Sequence, residues 1–280
     1  MPRIDCIVLD FDGTLTDVDG EAPRYLDSYR AALGAKIGKD LSAPWAAAQA
    51  HVLANSERYG WEFGGKIVAP AHADCYILAG CVGRVVLDEL GLVTDAAERG
   101  ALLDGLYRAL YPALSPAWRP ELVQFFDALL RAGRPVFVVT NSQPDAVKKK
   151  LSEVGSKLVE KLGVRGDAKK FALESPSQSL ARFAALPSMR IVEGLPRPVY
   201  VRRGRYLEVL EKVWNDCGAA PDSTLVCGDI YEMDLAMPGT LGATVHLVTR
   251  PGTRAWEKSG ALGQGGSVGA SLLDALVHLS

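Results

Sequence analysis

The stretch CIVLDFDGTLTD, residues 6–17, places a short apolar run directly before a group of aspartates and a glycine. Residues 6–9 are apolar at every position, which is typical of a strand buried on both faces of a parallel sheet. Asp10 and Asp12 follow two positions apart on an extended backbone, so both side chains project to one side. Gly13 permits a tight turn just beyond them. The stretch therefore predicts two carboxylates that face one substrate at a strand end.

Two neighbouring carboxylates are costly to ionise together unless a cation lies between them or one keeps its proton. The pair therefore indicates a bound metal, an acid/base role, or both. Asp229 and Asp234, in CGDIYEMD at 227–234, supply further carboxylates after another apolar run. Oxygen ligands without Cys or His companions favour Mg²⁺ over Zn²⁺.

Apolar runs and helical patterns alternate through the second half of the chain. The pattern predicts helices over 121–131 and 206–214, and strands over 136–139, 224–227 and 244–248, with weaker candidates at 163–165 and 190–192. Such alternation predicts an α/β fold, a parallel sheet between helices. Because carboxyl ends of parallel strands meet at one edge of the sheet, we expect Asp10, Thr140 and Asp229 to converge there.

Residues 17–114 have helical spacing and no convincing strand, so we expect an all-helical insert. Its predicted helices cover 25–33, 45–59, 73–90 and 96–110. The remaining residues, 1–16 and 115–280, form the expected discontinuous α/β core. Near the end of the chain, 263–269 is glycine-rich but lacks the Gly-Lys-Ser/Thr of a phosphate-binding loop, and we interpret it as a flexible connector before a last helix.

Composition excludes several classes of protein. Lys and Arg number 31 against 33 Asp and Glu, a net charge of −2, so no overall field attracts nucleic acid or anionic lipid. No stretch approaches the ~20 apolar residues of a membrane span, and the first ten residues lack a secretory-signal pattern. The five cysteines include no C-x-x-C pair. We expect a cytoplasmic protein with reduced thiols that binds neither nucleic acid nor membrane; its oligomeric state stays open.

Four motifs, in order, resemble those of the haloacid dehalogenase (HAD) superfamily of phosphatases. They are DFDGTLTD at 10–17, VVTNS at 138–142, a basic segment at 202–205 and CGDIYEMD at 227–234. The resemblance implies a Rossmann-like core, Mg²⁺ as cofactor and an aspartyl-phosphate intermediate. The insert lies where many of these phosphatases carry a cap, so the resemblance implies that 17–114 is a helical cap domain that closes over the core and sets leaving-group specificity.

The first motif carries the chemistry that the resemblance implies. Asp10 resembles the nucleophile that attacks the phosphoryl group, and Asp12 resembles the general acid/base. Relatives that cleave carbon–halogen or carbon–phosphorus bonds lack an Asp at this second position, so Asp12 favours phosphate-ester chemistry.

The second and fourth motifs supply binding groups in the same resemblance. Thr140 is similar to the hydroxyl that binds the transferring phosphoryl group, and the backbone N–H of Asn141 is a second donor. Asp229 and Asp234 resemble carboxylate ligands of Mg²⁺. Asp10 and the backbone carbonyl of Asp12 complete the implied metal set.

The third motif calls for a Lys or Arg that neutralises the phosphate and holds the nucleophile. The common Lys-Pro form is absent, and Arg202, Arg203 and Arg205 precede the helical segment at 206–214. We choose Arg203, because the family places this cation at such a helix start. The competing candidates are the two lysines of GDAKKF, Lys169 and Lys170. Part of 156–190 forms an additional excursion to which the sequence assigns no role.

These residues predict a Mg²⁺-dependent phosphomonoester hydrolase that acts on a small phosphorylated metabolite. A phosphomutase or phosphotransferase shares the same motifs and differs in whether water is admitted. A non-catalytic binding module, which keeps the fold without turnover, is the alternative outside enzymes.

Overall fold

The computed structural model describes residues 3–279. The chain divides into two compact units, one formed by residues up to Asp17 together with those from Trp118 onward, and the other by Val18–Ala117. Among the described residues, no helix is both long and apolar enough to span a bilayer.

Strands and α-helices are numbered along the chain. The strands are β1 (Cys6–Leu9), β2 (Gly60–Phe63), β3 (Lys66–Pro70), β4 (Val136–Val139), β5 (Gly163–Arg165), β6 (Met189–Arg190), β7 (Val199–Tyr200), β8 (Thr224–Gly228), β9 (Thr244–Val248) and β10 (Ser267–Gly269). The helices are α1 (Val18–Ile37), α2 (Ser42–Ala54), α3 (Cys75–Glu89), α4 (Ala96–Leu110), α5 (Leu122–Ala132), α6 (Pro144–Ser152), α7 (Ala181–Ala185), α8 (Gly204–Cys217), α9 (Ala236–Thr240) and α10 (Ala255–Leu262).

The first unit contains a six-stranded sheet in the order β10-β9-β8-β1-β4-β5. Every pair of neighbouring strands in it is parallel. The predicted α/β fold with a parallel sheet is therefore confirmed. The strand that precedes the first motif, β1, lies between β4 and β8, so the three strand ends that carry predicted site residues are adjacent.

Apolar clusters cover both faces of this sheet. Side chains alternate between the two faces along each strand. Val8 and Val139 face one apolar cluster, which includes Leu210 of α8. Ile7 and Val138 face the other, which includes Phe126 of α5. A strand covered on both faces needs apolar residues at every position, and this is why β1 and β4 appear in the sequence as continuous apolar runs.

The second unit is not all-helical, which corrects the prediction for the insert. Strands β2 and β3 pair as an antiparallel hairpin between α2 and α3. The two residues between the strands, Gly64 and Gly65, have φ of 56° and 73°. A two-residue hairpin turn with both φ values positive favours Gly-Gly, so this pair was the local signal for a hairpin. Helix α2 consequently ends at Ala54, before the predicted limit of residue 59.

The prediction of a flexible connector at 263–269 was wrong, whereas the weak strand candidate at 190–192 corresponds in part to a strand. The glycine-rich tail contains β10, which pairs in parallel with β9 at the edge of the sheet, and is followed by a 3₁₀ helix, Leu272–Leu279. The candidate strand at 190–192 is β6, which pairs with β7 in a separate two-stranded sheet. Neither strand is long enough to show an alternating pattern in the sequence, since each has at most three residues.

A buried histidine lies on β9 beside the C-terminal 3₁₀ helix. The His246 ring is 1% exposed, its Nδ1 lies 2.7 Å from Ser267 Oγ, and that hydroxyl lies 2.6 Å from Nε2 of His278. Burial and the neighbouring His278 lower the pKa of His246 to about 4, while Asp274 acts in the opposite direction. His246 is therefore neutral in the folded protein at neutral pH.

We expect this histidine to make stability depend on pH. The unfolded chain takes up a proton near pH 6.5 and the folded chain only near pH 4, so the free energy of unfolding falls as pH falls through this window. The contribution of His246 is at most about 3 kcal/mol. Urea unfolding of wild type and His246→Leu at pH 7, 6, 5 and 4 measures it, with a flatter profile expected for the variant. Parallel profiles would contradict the assignment.

Candidate active site

Three predicted site residues follow adjacent strands. Asp10 follows β1, Thr140 follows β4, and Asp229 follows β8. The backbone N–H of Asp10 donates to the carbonyl of Cys227 over 2.9 Å, which ties the end of β1 to β8. Parallel pairing in register thus places all three residues at one edge of the sheet, as expected from the sequence.

The turn after β1 requires glycine at position 13. Gly13 has φ of 82°, and a Cβ on it would lie 2.2 Å from Oδ2 of Asp229. Its N–H donates to Oγ1 of Thr16, and its carbonyl accepts from Nη2 of Arg119 over 2.7 Å. This turn brings the first motif against the fourth.

Asp12 lies at the same turn and contacts the second motif. Its Oδ2 accepts a hydrogen bond of 2.7 Å from the hydroxyl of Ser142. Ser142 is in turn held by its own N–H, which donates to Oγ1 of Thr140. The two carboxylates of the first motif therefore have different surroundings, since Asp10 pairs with a cation and Asp12 accepts from a neutral hydroxyl.

Thr140 and Asn141 occupy the end of β4. Thr140 is 2% exposed, and its hydroxyl oxygen caps the turn by accepting from Ser142. The side-chain carbonyl of Asn141 accepts a 2.7 Å hydrogen bond from the backbone N–H of Lys170. Their predicted contacts with a phosphoryl group stay predictions.

The cation beside Asp10 is Lys170. Its ammonium donates to Oδ1 of Asp10 over 2.7 Å and to Oδ1 of Asp234 over 2.9 Å. The Lys170 side chain is 1% exposed. Burial alone would lower its pKa, but Asp10 and Asp234 raise the pKa of this ammonium above its ordinary value. Lys170 therefore stays protonated between the two acids.

This placement corrects the choice of Arg203 as the cation that holds Asp10. Arg203 is fully buried, and its Nη1 donates to the backbone carbonyl of Lys170 over 2.5 Å. Arg203 is the residue before α8, where the sequence expects the cation. The chain, however, inserts residues 171–203 between Lys170 and this helix, so the lysine and the helix start are far apart in sequence.

The fourth motif contributes two buried carboxylates. Asp229 and Asp234 are 1% and 2% exposed. Asp234 lies in a π-helix, Tyr231–Leu235, and the N–H of Ile230, the residue just before this helix, donates to Oδ2 of Asp234 over 3.0 Å. This bond leaves Oδ1 of Asp234 directed at Lys170.

Asp10, Asp229 and Asp234 form the cluster that fits a metal ion. One carboxylate oxygen from each lies within 4.8 Å of the others. Thr14 bridges two of them, since its hydroxyl lies 3.3 Å from Oδ2 of Asp10 and 3.3 Å from Oδ1 of Asp229. A donor set made only of oxygen suits Mg²⁺. The side chain of Asp12 is not one of the three, so its predicted role as a ligand through its carbonyl stays a prediction.

The electrostatics of Asp10 show the same need for positive charge. Burial and the charges of Asp234 and Asp12 raise the pKa of Asp10, Lys170 lowers it, and the net result is a pKa of about 7. A divalent cation among these carboxylates would offset both burial and repulsion.

A second cation that sequence reasoning missed lies beside Asp229. Nε of Arg250 donates to Oδ2 of Asp229 over 2.9 Å, and both side chains are at most 5% exposed. Arg250 follows β9, the strand next to β8, and therefore lies at the same sheet edge. In the sequence, the signal for Arg250 at this edge was its position two residues after the predicted strand at 244–248.

Trp45 and His72 of the second unit have partners within that unit. Trp45 is 3% exposed and its ring packs near that of Tyr29. His72 Nδ1 lies 2.9 Å from Oγ of Ser56. These contacts are typical of structural residues.

The family model of haloacid dehalogenase-like hydrolases matches residues 4–242. The chain therefore belongs to the haloacid dehalogenase-like hydrolase family, and it is a hydrolase of that superfamily. Comparison with curated proteins finds no match.

Solved structures share the fold at low identity. A protein described as a predicted phosphoglycolate phosphatase from Haemophilus somnus 129pt is 15% identical, with TM-score 0.54 and 100% of each chain covered. The HAD-hydrolase YfnB from Bacillus subtilis, solved with magnesium, is 14% identical, with TM-score 0.54 and 99% of each chain covered. A dehalogenase with an intermediate complex is 17% identical, with TM-score 0.51, and 99% of this chain and 97% of that one are covered.

We expect Gly13→Ala to disrupt the turn that joins the first and fourth motifs. The substitution adds the clash with Asp229 to the cost of a positive φ. Gly133→Ala is the matched control, because Gly133 has φ of 65° with open space around it. Urea unfolding should show a loss of about 1 kcal/mol for the control and at least about 2 kcal/mol more for Gly13→Ala. Equal losses in the free energy of unfolding would show that the Asp229 side chain moves aside at no energetic cost, which would contradict this prediction.

Proposed function

We propose that this hydrolase is a Mg²⁺-dependent phosphomonoesterase that acts on a small phosphorylated metabolite through an aspartyl-phosphate on Asp10. The observation that carries the proposal is the buried set of three carboxylates within 4.8 Å, with Lys170 on Asp10 and Asp12 at the same turn. A carboxylate can attack a phosphate dianion only where positive charge offsets their repulsion.

Asp10, Asp229 and Asp234 would hold the metal, which would supply positive charge that offsets the repulsion between the attacking carboxylate and the phosphate. The described residues fit this group, because their donors are all oxygen and lie close together. Lys170 would add a further positive charge to the phosphoryl group while it holds Asp10 in place.

The reaction follows from the two carboxylates of the first motif. An oxygen of Asp10 forms a bond to phosphorus as the bond to the leaving alkoxide breaks, and Asp12 gives the alkoxide its proton. Asp12 then takes a proton from water, whose oxygen bonds to phosphorus and releases Asp10. Thr140 and the N–H of Asn141 would donate to the phosphoryl oxygens.

Asp12 favours phosphate esters over carbon–halogen bonds, although a dehalogenase is among the structures with this fold. A dehalogenase that displaces halide with one carboxylate needs no acid for the leaving group, since halide leaves unprotonated. An alkoxide needs the proton that a carboxyl group at position 12 can supply.

We expect phosphate release from a panel of phosphorylated metabolites to require both Mg²⁺ and Asp10. Asp10→Asn should lower kcat by at least about 10³-fold, because it removes the nucleophile. Asp222→Asn is the control, since Asp222 is exposed and precedes β8, at the opposite end of that strand from the site. Full activity of Asp10→Asn, or activity unaffected by a chelator, would contradict the proposal.

Asp12→Asn should separate the two steps of the reaction. With 4-nitrophenyl phosphate, whose leaving group needs little protonation, the variant should form the phosphoenzyme and hydrolyse it about 10²–10⁴-fold more slowly. Intact-protein mass spectrometry after an acid quench should then detect a phosphorylated chain that is absent from Asp10→Asn. Halide release from 2-haloalkanoic acids, with no phosphate release from any ester, would instead identify a dehalogenase.

A further inference from the structure

Hydrogen bonds hold the backbone of Lys170 at both its N–H and its carbonyl. Its N–H donates to the side chain of Asn141 over 2.7 Å, and its carbonyl accepts from Nη1 of Arg203 over 2.5 Å. The Tyr206 ring in the first turn of α8 lies 5.4 Å from the Lys170 ammonium. The position of the ammonium therefore depends on where α8 begins.

The loop that carries Lys170 is in an unfavourable backbone conformation. Asp167 and Lys169 have φ of 50° and 46°, values in the left-handed region that residues with a Cβ seldom adopt. Such a conformation persists only where surrounding contacts hold it. The bonds at Lys170 are contacts of this kind.

Arg203 is suited to hold this loop. It is fully buried, and its Nε also donates to the carbonyl of Tyr200 over 3.0 Å. Burial lowers the pKa of Arg203 to about 10, so the guanidinium stays charged at neutral pH. Hydrogen bonds from a charged donor are stronger than those between neutral groups.

Residues 171–203 form the segment between Lys170 and α8. The two ends of this segment are held together next to the contact between Arg203 and Lys170. The N–H of Gly204 donates to the carbonyl of Glu174 over 2.9 Å, and a Cβ on Gly204 would lie 2.3 Å from the nitrogen of Pro176. Within the segment, Arg197 makes a two-bond ion pair with the fully buried Glu232 of the fourth motif. The segment is thus joined to both the third and the fourth motifs.

We infer that Arg203 is a positioning residue, which sets the location of the Lys170 ammonium by holding the Lys170 carbonyl against the start of α8. Its effect on turnover rests on the proposed function; its effect on the ammonium does not.

NMR of protein labelled with ¹⁵N-lysine tests the positioning directly. An ammonium buried between two carboxylates exchanges slowly, so Lys170 should give a ζ-NH₃⁺ signal that Lys170→Met lacks. Arg203→Met should shift or broaden this signal. Arg182→Met is the matched control, because Arg182 lies in the same segment, is partly exposed and pairs with Glu211; it should leave the signal unchanged. Arg203→Lys, which keeps the charge and fewer donors, should give a smaller change.

Kinetics on the Mg²⁺-loaded enzyme tests the coupling. Arg203→Met should lower kcat/KM by about 10²-fold, the scale of a 1 Å displacement of a catalytic group. In the Lys170→Met background, the same substitution should change kcat/KM by less than about twofold, because the two residues act through one ammonium.

The inference is overturned if the Lys170 signal is unchanged in folded Arg203→Met, or if the two substitutions lower kcat/KM independently. Thermal unfolding of each variant identifies loss of the fold. If Arg203→Met does not fold, the signal in Arg203→Lys decides, and an unchanged signal there overturns the inference. Wild type without phosphatase activity would refute the proposed function while the NMR comparison still tests Arg203.

Discussion

Asp10, Asp229 and Asp234 each place a carboxylate oxygen within 4.8 Å of the other two. Like charges at this separation repel strongly where water is scarce. Two cations from other parts of the chain reduce this repulsion. Lys170 lies between Asp10 and Asp234, and Arg250 lies against Asp229. The loops after β5 and β9 are therefore constrained to bring these cations to the edge of the sheet where the acids lie.

The order of the strands in the sheet brings these acids together. Because β1 lies between β4 and β8, the first, second and fourth motifs meet without any long side chain having to reach across. The apolar clusters on both faces hold these strands in register. Local backbone contacts help to place these short acidic side chains: the N–H of Asp10 donates to the carbonyl of Cys227, and the N–H of Ile230 donates to the carboxylate of Asp234.

Motifs contained in one strand and its following turn could be predicted from the sequence. Asp10, Asp12, Asp229 and Asp234 each follow an apolar run closely, and the structure places them as expected. Arg203 was the wrong cation because a helix start is a local feature, whereas the contact between Lys170 and Asp10 joins residues 160 positions apart. No periodic pattern encodes such a contact.

The same limit applies to secondary structure. The parallel sheet was predictable because β1 and β4 are continuous apolar runs and β8 and β9 are mostly apolar. Strands β2 and β3 were missed because the surrounding helical spacing outweighed a two-glycine turn, although this turn is a local signal. Strand β10 owes its conformation to pairing with β9 and has no strand pattern of its own.

The two ends of the segment 171–203 are held together, and this affects how the cation can be located from sequence. The two ends of the segment meet where the N–H of Gly204 donates to the carbonyl of Glu174, so a change of length in an exposed part of the segment need not move either end. The entropic cost of a longer loop rises only with the logarithm of its length. The distance in sequence between Lys170 and α8 is therefore a poor guide to which cation meets the nucleophile, and the contact of Lys170 with Asp10 identifies it instead.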